Sequence, residues 1–218
     1  MNAQHNGVRS WMQHLLLATT NPAKLARLRW VVDGLPFAVR TPREYPAATP
    51  HVPEDGTDFA TNAAQKAQGW SAATGGMLTL ASDGGLAIPA LGARWDALRT
   101  RRNAGPEATN AERIRHLLDL MRDLHGEERR ACWHEALALA RDGAVLQTWT
   151  ASGDGGLIVE QSLPGQIDTA FWTEHIRYYP AAGKLYRDLS VEEAERLDLV
   201  WPRLRDEVRT YLPQVSRS

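Results

Sequence analysis

Residues 54–86 read EDGTDFATNAAQKAQGWSAATGGMLTLASDGGL, and the order of their parts decides the fold. An acidic turn, Glu54-Asp55-Gly56, leads into a helix carrying Asn62 and Lys66. Gly75-Gly76 breaks that helix, and an apolar run from Met77 to Ala81 follows, ending in Ser82-Asp83-Gly84-Gly85. The run has strand length between two glycine breaks, which favours a buried strand over a helix. Asn62 and Lys66 are four residues apart and so stand one above the other on one helix face. Asp83 is expected where the strand ends, beside two glycines that let another backbone approach. Acid before the helix, lysine on it and aspartate at the strand end compose a metal-phosphate site. A solvated helix face followed by an Asp-Gly turn fits the same letters, and local spacing leaves both readings open.

Upstream lies a second strand-helix pair. Residues 14–19, HLLLAT, read as a buried strand, and Thr20-Asn21-Pro22 as the start of a helix running through Val32. Asparagine or threonine caps such a start, and proline suits the first helical position. Lys24 falls in the first turn, where a cation opposes the positive helix end, a placement that a bound phosphate rationalises. Phe37 to Thr41 is a second short strand, followed by a proline-rich loop.

Downstream, residues 86–91 (LAIPAL) suit a short extended piece, and Ile114, Leu117, Leu118 and Met121 mark an amphipathic helix over 108–124. Asp142-Gly143 between apolar stretches signals a hairpin. Gly153 to Gly156 reads as another turn before a strand from Leu157 to Glu160, and Ser190 opens a last helix that Pro202 is expected to break near Trp201. Strands alternating with helices, then hairpins, give an α/β fold. Its expected form is an elongated mixed β-sheet with flanking helices and two lobes around a central cleft. A flexible leader over 1–12 and a single domain over 13–213 complete the expected organisation.

Composition narrows the function. A net charge of -1 gives no global attraction to nucleic acid or anionic membrane, and neither partner is expected. One cysteine excludes an internal disulfide and a cysteine metal cluster, so a cytoplasmic location is the expectation. No apolar run approaches membrane-spanning length. GxxxxGK[ST], GxGxxG and HExxH motifs are all missing. Of 25 basic residues only Lys24, Lys66 and Lys184 are lysine. A compact ammonium fits a crowded phosphate site that a planar guanidinium does not.

Together these pieces resemble the inosine triphosphate pyrophosphatase family, which cleaves purine nucleoside triphosphates carrying unusual bases to monophosphate and pyrophosphate. ATTNPAK (18–24) resembles the family's A-T-x-N-x-x-K, and residues 54–67 its E-x-G-x-T-F-x-x-N-A-x-x-K-A. ASDGGL (81–86) resembles A-D-D-S-G-L, and Thr100 and Arg102 fall on its S-A-R segment. Over 170–200 Phe171, Pro180, Gly183, Lys184, Leu189, Glu192 and Glu193 coincide with family positions, and so do all three lysines.

The resemblance implies Asp83 and Lys66 as catalytic residues and Glu54 and Asp83 as ligands of Mg²⁺. It implies Thr19, Asn21, Lys24, Lys66, Ser82, Arg102, Phe171, Trp172, Glu174 and Lys184 as substrate-binding residues, and a homodimer. The departures are equally specific. The first aspartate of A-D-D-S-G-L is Ser82 here, G-F-G-Y-D-P becomes Ala170 to His175, and S-H-R becomes Asp198-Leu199-Val200. The phosphate end is kept and the base end rewritten. A preference for inosine or xanthosine triphosphate is therefore not expected, since an apolar pair discriminates less than hydrogen-bonding groups do. Trp172 and Trp201 offer flat stacking surfaces in its place. The alternative is a weak or inactive nucleotide-binding protein acting as a sensor or scaffold.

Overall fold

The structure, a computed structural model, describes residues 12–53, 55–161, 171–197 and 200–215. Glu54, Ala170, Asp198 and Leu199 lie outside the described residues, as does the expected leader apart from Met12.

Strand β1 (Gln13–Leu17) is followed by helix α1 (Pro22–Val32) and strand β2 (Phe37–Arg40). Helix α2 (Phe59–Ala73) then leads into strand β3 (Leu78–Ala87). Helix α3 (Asn110–Leu120) precedes the long hairpin of β4 (Arg130–Arg141) and β5 (Ala144–Ile158). Strands β6 (Arg177–Tyr179) and β7 (Lys184–Leu185) and helices α4 (Val191–Leu197) and α5 (Val200–Val215) complete the order. The strands form one mixed sheet in the order β2-β1-β3-β4-β5-β6-β7. β1 is parallel to both β2 and β3, and every later pairing is antiparallel. The α/β class, mixed sheet and flanking helices expected from the sequence are all present.

Strand alternation sorts the core into two layers. Leu15 and Leu17 of β1 join Leu28 and Val31 of α1 and Leu204 and Val208 of α5 on one face. Leu16 points the other way, to Ala63 and Ala67 of α2 and to Ala136, Ala138 and Ala140 of β4. Alanines on both surfaces let α2 lie close to the sheet. The Asp142-Gly143 hairpin forms as expected, with φ of 52° and 72° at its two residues, the left-handed pair such a turn requires.

Four sequence expectations change. β3 does not end at Asp83 but runs on to Ala87, held by β4 through the Ala87–Cys132 pair, and a 3-10 turn over Pro89–Arg94 replaces the extended piece. Asp83 is instead close to where the ladder with β1 stops, at Leu17–Leu80. Gly153 to Gly156 is not a turn, because β5 passes straight through it with a register shift against β4. A Cβ at Gly155 would stand 2.7 Å from the Ala131 carbonyl carbon, so these glycines serve close strand packing. The break expected near Trp201 falls slightly earlier: α4 ends at Leu197 and α5 begins at Val200, which puts Pro202 in the first turn of α5, where its missing N–H would be unpaired anyway.

Candidate active site

The chain leaves β1 for β2 through α1 on one face of the sheet and returns to β3 through α2 on the other. β1 therefore marks a switch point in the parallel part of the sheet, and ligands of open α/β sheets bind beyond the C-terminal ends of such strands. The charged residues gather there. Lys66 Nζ donates to Asp83 Oδ1 at 2.7 Å, and Asn62 Nδ2 donates to Asp83 Oδ2 at 3.1 Å. Lys24 arrives from α1, in the opposite layer, and its Nζ lies 3.9 Å from Asp83 Oδ1. Side-chain exposures of 16%, 17% and 13% for Lys24, Lys66 and Asp83 make the cluster sheltered but reachable.

Local structure fixes each of these groups. Asp58 caps α2 by accepting from the Thr61 N–H at 2.7 Å, which starts the helix so that Asn62 and Lys66 face β3. Asn62 Oδ1 accepts from Gly56 N–H at 2.9 Å, so one carboxamide ties the acidic turn to Asp83. Asn21 Oδ1 takes the N–H groups of Ala23 and Lys24 at 2.9 and 3.2 Å. Those two donors at the start of α1 are thus capped by Asn21 instead of being left for an anion, and the Asn21 amide NH₂ is the donor that remains. Thr19 Oγ1 accepts from Asn21 N–H at 3.2 Å and shapes this turn.

A cleft of about 120 Å³ opens beside Asp83, lined by Asp55, Gly56, Asn62, Asp96, Leu98, Arg99 and Arg102. Gly85 shapes its wall: a Cβ there would stand 2.2 Å from the Ala97 carbonyl oxygen. Only glycine lets the 3-10 turn over Ala97–Arg99 close on β3, a turn further held by Thr100 Oγ1, which accepts from Leu86 N–H at 2.9 Å.

A second cleft is lined by Arg27, Trp133, Phe171, Thr173, Glu174, Arg177, Tyr186 and Trp201. Its floor is aromatic and cationic: the buried Arg177 guanidinium lies 4.5 Å from the Tyr186 ring centroid and 5.2 Å from that of Trp133. Arg27 of α1 donates to Tyr186 Oη at 2.8 Å, joining this cleft to the helix that carries Lys24.

The structure thus brings Lys24, Lys66, Asn62 and Asp83 together, places Arg102 on the first cleft, and places Phe171 and Glu174 on the second. Ser82 is buried on β3. Trp172 is not in either cleft: it is 4% exposed and meets Trp95 edge-on in the core, while Trp201 takes the lining position. Val200 is likewise packed inside, 1% exposed and against Gly153. Lys184 lies on β7 and holds both oxygens of Glu193 at 2.8 and 2.9 Å, lining neither cleft.

Sequence reasoning missed Arg177, Trp133, Tyr186 and Arg27, which gather only through long-range pairing. It also missed Glu135 on β4, 1% exposed and directly opposite Gly84. Burial, and secondarily the charge of Asp83, push its carboxyl up to about 7, against the opposing pull of Lys24, the Trp133 hydrogen bond and Lys66. The missed signal was alternation: Trp133, Leu137 and Leu139 put Glu135 on an apolar face.

The family model for "Ham1 family" matches residues 15–197 of this chain. The chain belongs to the Ham1 family. One relative, the dITP/XTP pyrophosphatase of Thermus thermophilus, is 32% identical across 84% of each chain. Another, the dITP/XTP pyrophosphatase of an Anaeromyxobacter species, is 41% identical over 61% of this chain and 69% of its own. Among solved structures, a HAM1 protein from Coxiella burnetii superposes with a TM-score of 0.75 at 26% identity, covering 93% of this chain and all of that one. The likeness holds in overall fold and in sequence, in agreement with the resemblance carried by the three motifs.

Proposed function

We propose that this Ham1-family chain is a nucleoside triphosphate pyrophosphohydrolase, cleaving the α–β phosphoanhydride with water to give a nucleoside monophosphate and pyrophosphate. The observation that carries it is the convergence of Lys24, Lys66 and Asn62 on Asp83 at the end of β1, beside a cleft of about 120 Å³. The names of the relatives, dITP/XTP pyrophosphatases, support the same reaction class.

Lys24 and Lys66 approach from opposite layers and neutralise phosphate charge from two sides, the main requirement of phosphoryl chemistry. Arg102 adds a guanidinium at the cleft rim. Asn21 positions the α1 start that presents Lys24. Asp83, an oxygen donor held at both oxygens, fits a hard cation, and Glu54 is the second ligand proposed from the motif. Among the described residues no group of three or more His, Cys, Asp or Glu gathers to hold a metal. Mg²⁺ needs no such cage, because it is commonly held by one or two carboxylates plus substrate phosphates. Bound Mg²⁺ would clamp phosphate oxygens and acidify water.

The base is proposed to approach the second cleft, which is only about 10 Å³ and must open to admit it, since Trp133 and Trp201 are nearly buried; Phe171 lines it and Glu174 supplies an acceptor. Base choice is proposed to differ from the inosine and xanthosine preference implied by the resemblance. Leu199-Val200 replace its histidine and arginine, and Val200 is withdrawn into the core. Pyrophosphate release, measured with ITP, XTP, dITP and the four common triphosphates in Mg²⁺ and again in excess EDTA, tests both parts. Expected is EDTA-sensitive release with no ITP preference. A kcat/KM for ITP a hundredfold above ATP, roughly 3 kcal/mol of discrimination, contradicts the base proposal. A homodimer is the proposed assembly, and light scattering at monomer mass removes it.

The second reading, a nucleotide-binding protein without turnover, is favoured by one residue, Ser82, where the family pattern has an acid. No release with any triphosphate supports it.

A further inference from the structure

Arg177 of β6 is a buried cation whose donors are not all used. It is 3% exposed; its Nε donates to the Gly155 carbonyl at 2.7 Å and its Nη2 to Tyr179 Oη. The guanidinium also lies against three rings, with Tyr186 at 4.5 Å, Trp133 at 5.2 Å and Tyr179 at 5.6 Å. Nη1 carries the other N–H donors and has no partner among the described residues, where no carboxylate forms an ion pair with Arg177 either. Arg177 lines the second cleft, and Nη1 is not sealed inside the protein as the unpartnered oxygens of Glu135 and Ser82 are. A buried cation with neither a carboxylate nor a full set of acceptors is costly, so its place at a cleft calls for an acceptor on a ligand.

The walls restrict which ligand that is. The cleft is only about 10 Å³ and must open for any base. Trp133 and Trp201, 5% and 4% exposed, belong to the main core. Trp133 is anchored further by its Nε1, which donates to buried Glu135 Oε2 at 3.2 Å. Trp201 sits in the first turn of α5 beside the core residues Val200 and Leu204. Tyr186 is held by Arg27, which donates to its Oη at 2.8 Å. Phe171 is the one ring of the cleft that is not buried, and it meets Trp133 edge-on with centroids 6.1 Å apart. Turning Phe171 aside clears room over Trp133 while both indoles stay in place. A one-ring base needs less than a purine, which would also have to displace a core tryptophan and repack its surroundings.

We propose that the second cleft takes a pyrimidine base, and that Arg177 Nη1 donates to the O2 carbonyl that cytosine and uracil share. Glu174, on the 3-10 turn over Trp172–His175, supplies the acceptor for the cytosine amino group or the uracil N3–H. This rests on the reading of the second cleft as the base site. The histidine and arginine of the family pattern are absent from this chain, and Arg177 returns a guanidinium from a different element. A site that hydrogen-bonds its base rejects one that leaves those groups unpaired.

The test is calorimetric titration of the full chain with UMP, CMP, AMP and IMP in EDTA, which needs no turnover. UMP and CMP are expected to bind about tenfold or more tightly than AMP and IMP. 2-Thio-UMP, whose sulfur accepts poorly in place of O2, should bind about tenfold more weakly than UMP, while 4-thio-UMP, a control of the same size, keeps its affinity. Arg177→Met should weaken UMP and CMP binding by about tenfold or more and leave that of AMP unchanged. The thio pair carries the test if Arg177→Met does not fold. AMP or IMP binding as tight as that of UMP and CMP, or no binding by any of the four, overturns the pyrimidine assignment. Equal affinity for the two thio analogues, or unchanged UMP affinity in Arg177→Met, overturns the role of Arg177. Pyrophosphate release from purine triphosphates alone keeps the proposed reaction and removes this inference. Pyrimidine-selective binding with no release from any triphosphate does the reverse.

Discussion

At the scale of single residues, Asn62 and Glu135 show how much of the site is set by side chains that need not touch substrate. Asn62 spends its amide on Asp83 and its carbonyl on Gly56, so Asn62→Ala should loosen both the acidic turn and the aspartate. The expected result is a stability loss of about 1–2 kcal/mol in urea titration together with a fall in turnover. Unchanged values on both counts contradict the tether. Glu135 makes a pH prediction. Its carboxyl, raised from 4.5 to about 7, binds its proton more tightly in the folded chain. The folded state then holds the extra proton between those two values. The resulting stabilisation is complete below about 4.5, falls as pH rises through this window, and is gone above about 7. In EDTA, the melting temperature of the parent minus that of Glu135→Gln should therefore drop from pH 5 to pH 8. A flat difference contradicts the shift. Glu135 was legible only in retrospect, because a lone acid among alanines and leucines does not reveal which strand it faces.

At the scale of elements, buried Arg129 is the joint between α3, β4 and β5. Its guanidinium, 3% exposed, donates to the carbonyls of Met121, Leu124, Ile158 and Val159 at 2.6 to 3.0 Å. Arg129→Met strands those carbonyls and should cost about 3 kcal/mol or more, read from the urea midpoint. A loss under 1 kcal/mol would show that water replaces the arginine. Gly85→Ala drives a methyl into the Ala97 carbonyl and should push the Ala97–Arg99 turn off β3, lowering both stability and activity. Elements with a local code were readable: the Asn21-Pro22 helix start, the helix carrying Asn62 and Lys66, and the Asp142-Gly143 hairpin. The Gly153 to Gly156 segment was not. Its glycines answer to Ala131 and Val200, partners far away in sequence, and a glycine run with such partners looks like a turn until the register is known.

At the scale of the whole molecule, one chain path creates the site. Crossing from α1 to α2 around β1 brings Lys24 and Lys66 to Asp83 from opposite faces, which the sequence announced by keeping lysine at those positions. The aromatic cleft was less legible because Arg27, Trp133, Arg177 and Tyr186 come from four separate elements. The central claim is that Asp83 organises hydrolysis of a triphosphate, and the direct measurement is pyrophosphate release by the parent and by Asp83→Asn at saturating nucleotide and Mg²⁺. The account predicts release by the parent and a loss of about two orders of magnitude or more in kcat for Asp83→Asn, with the melting temperature nearly preserved. Equal release by the two proteins contradicts it.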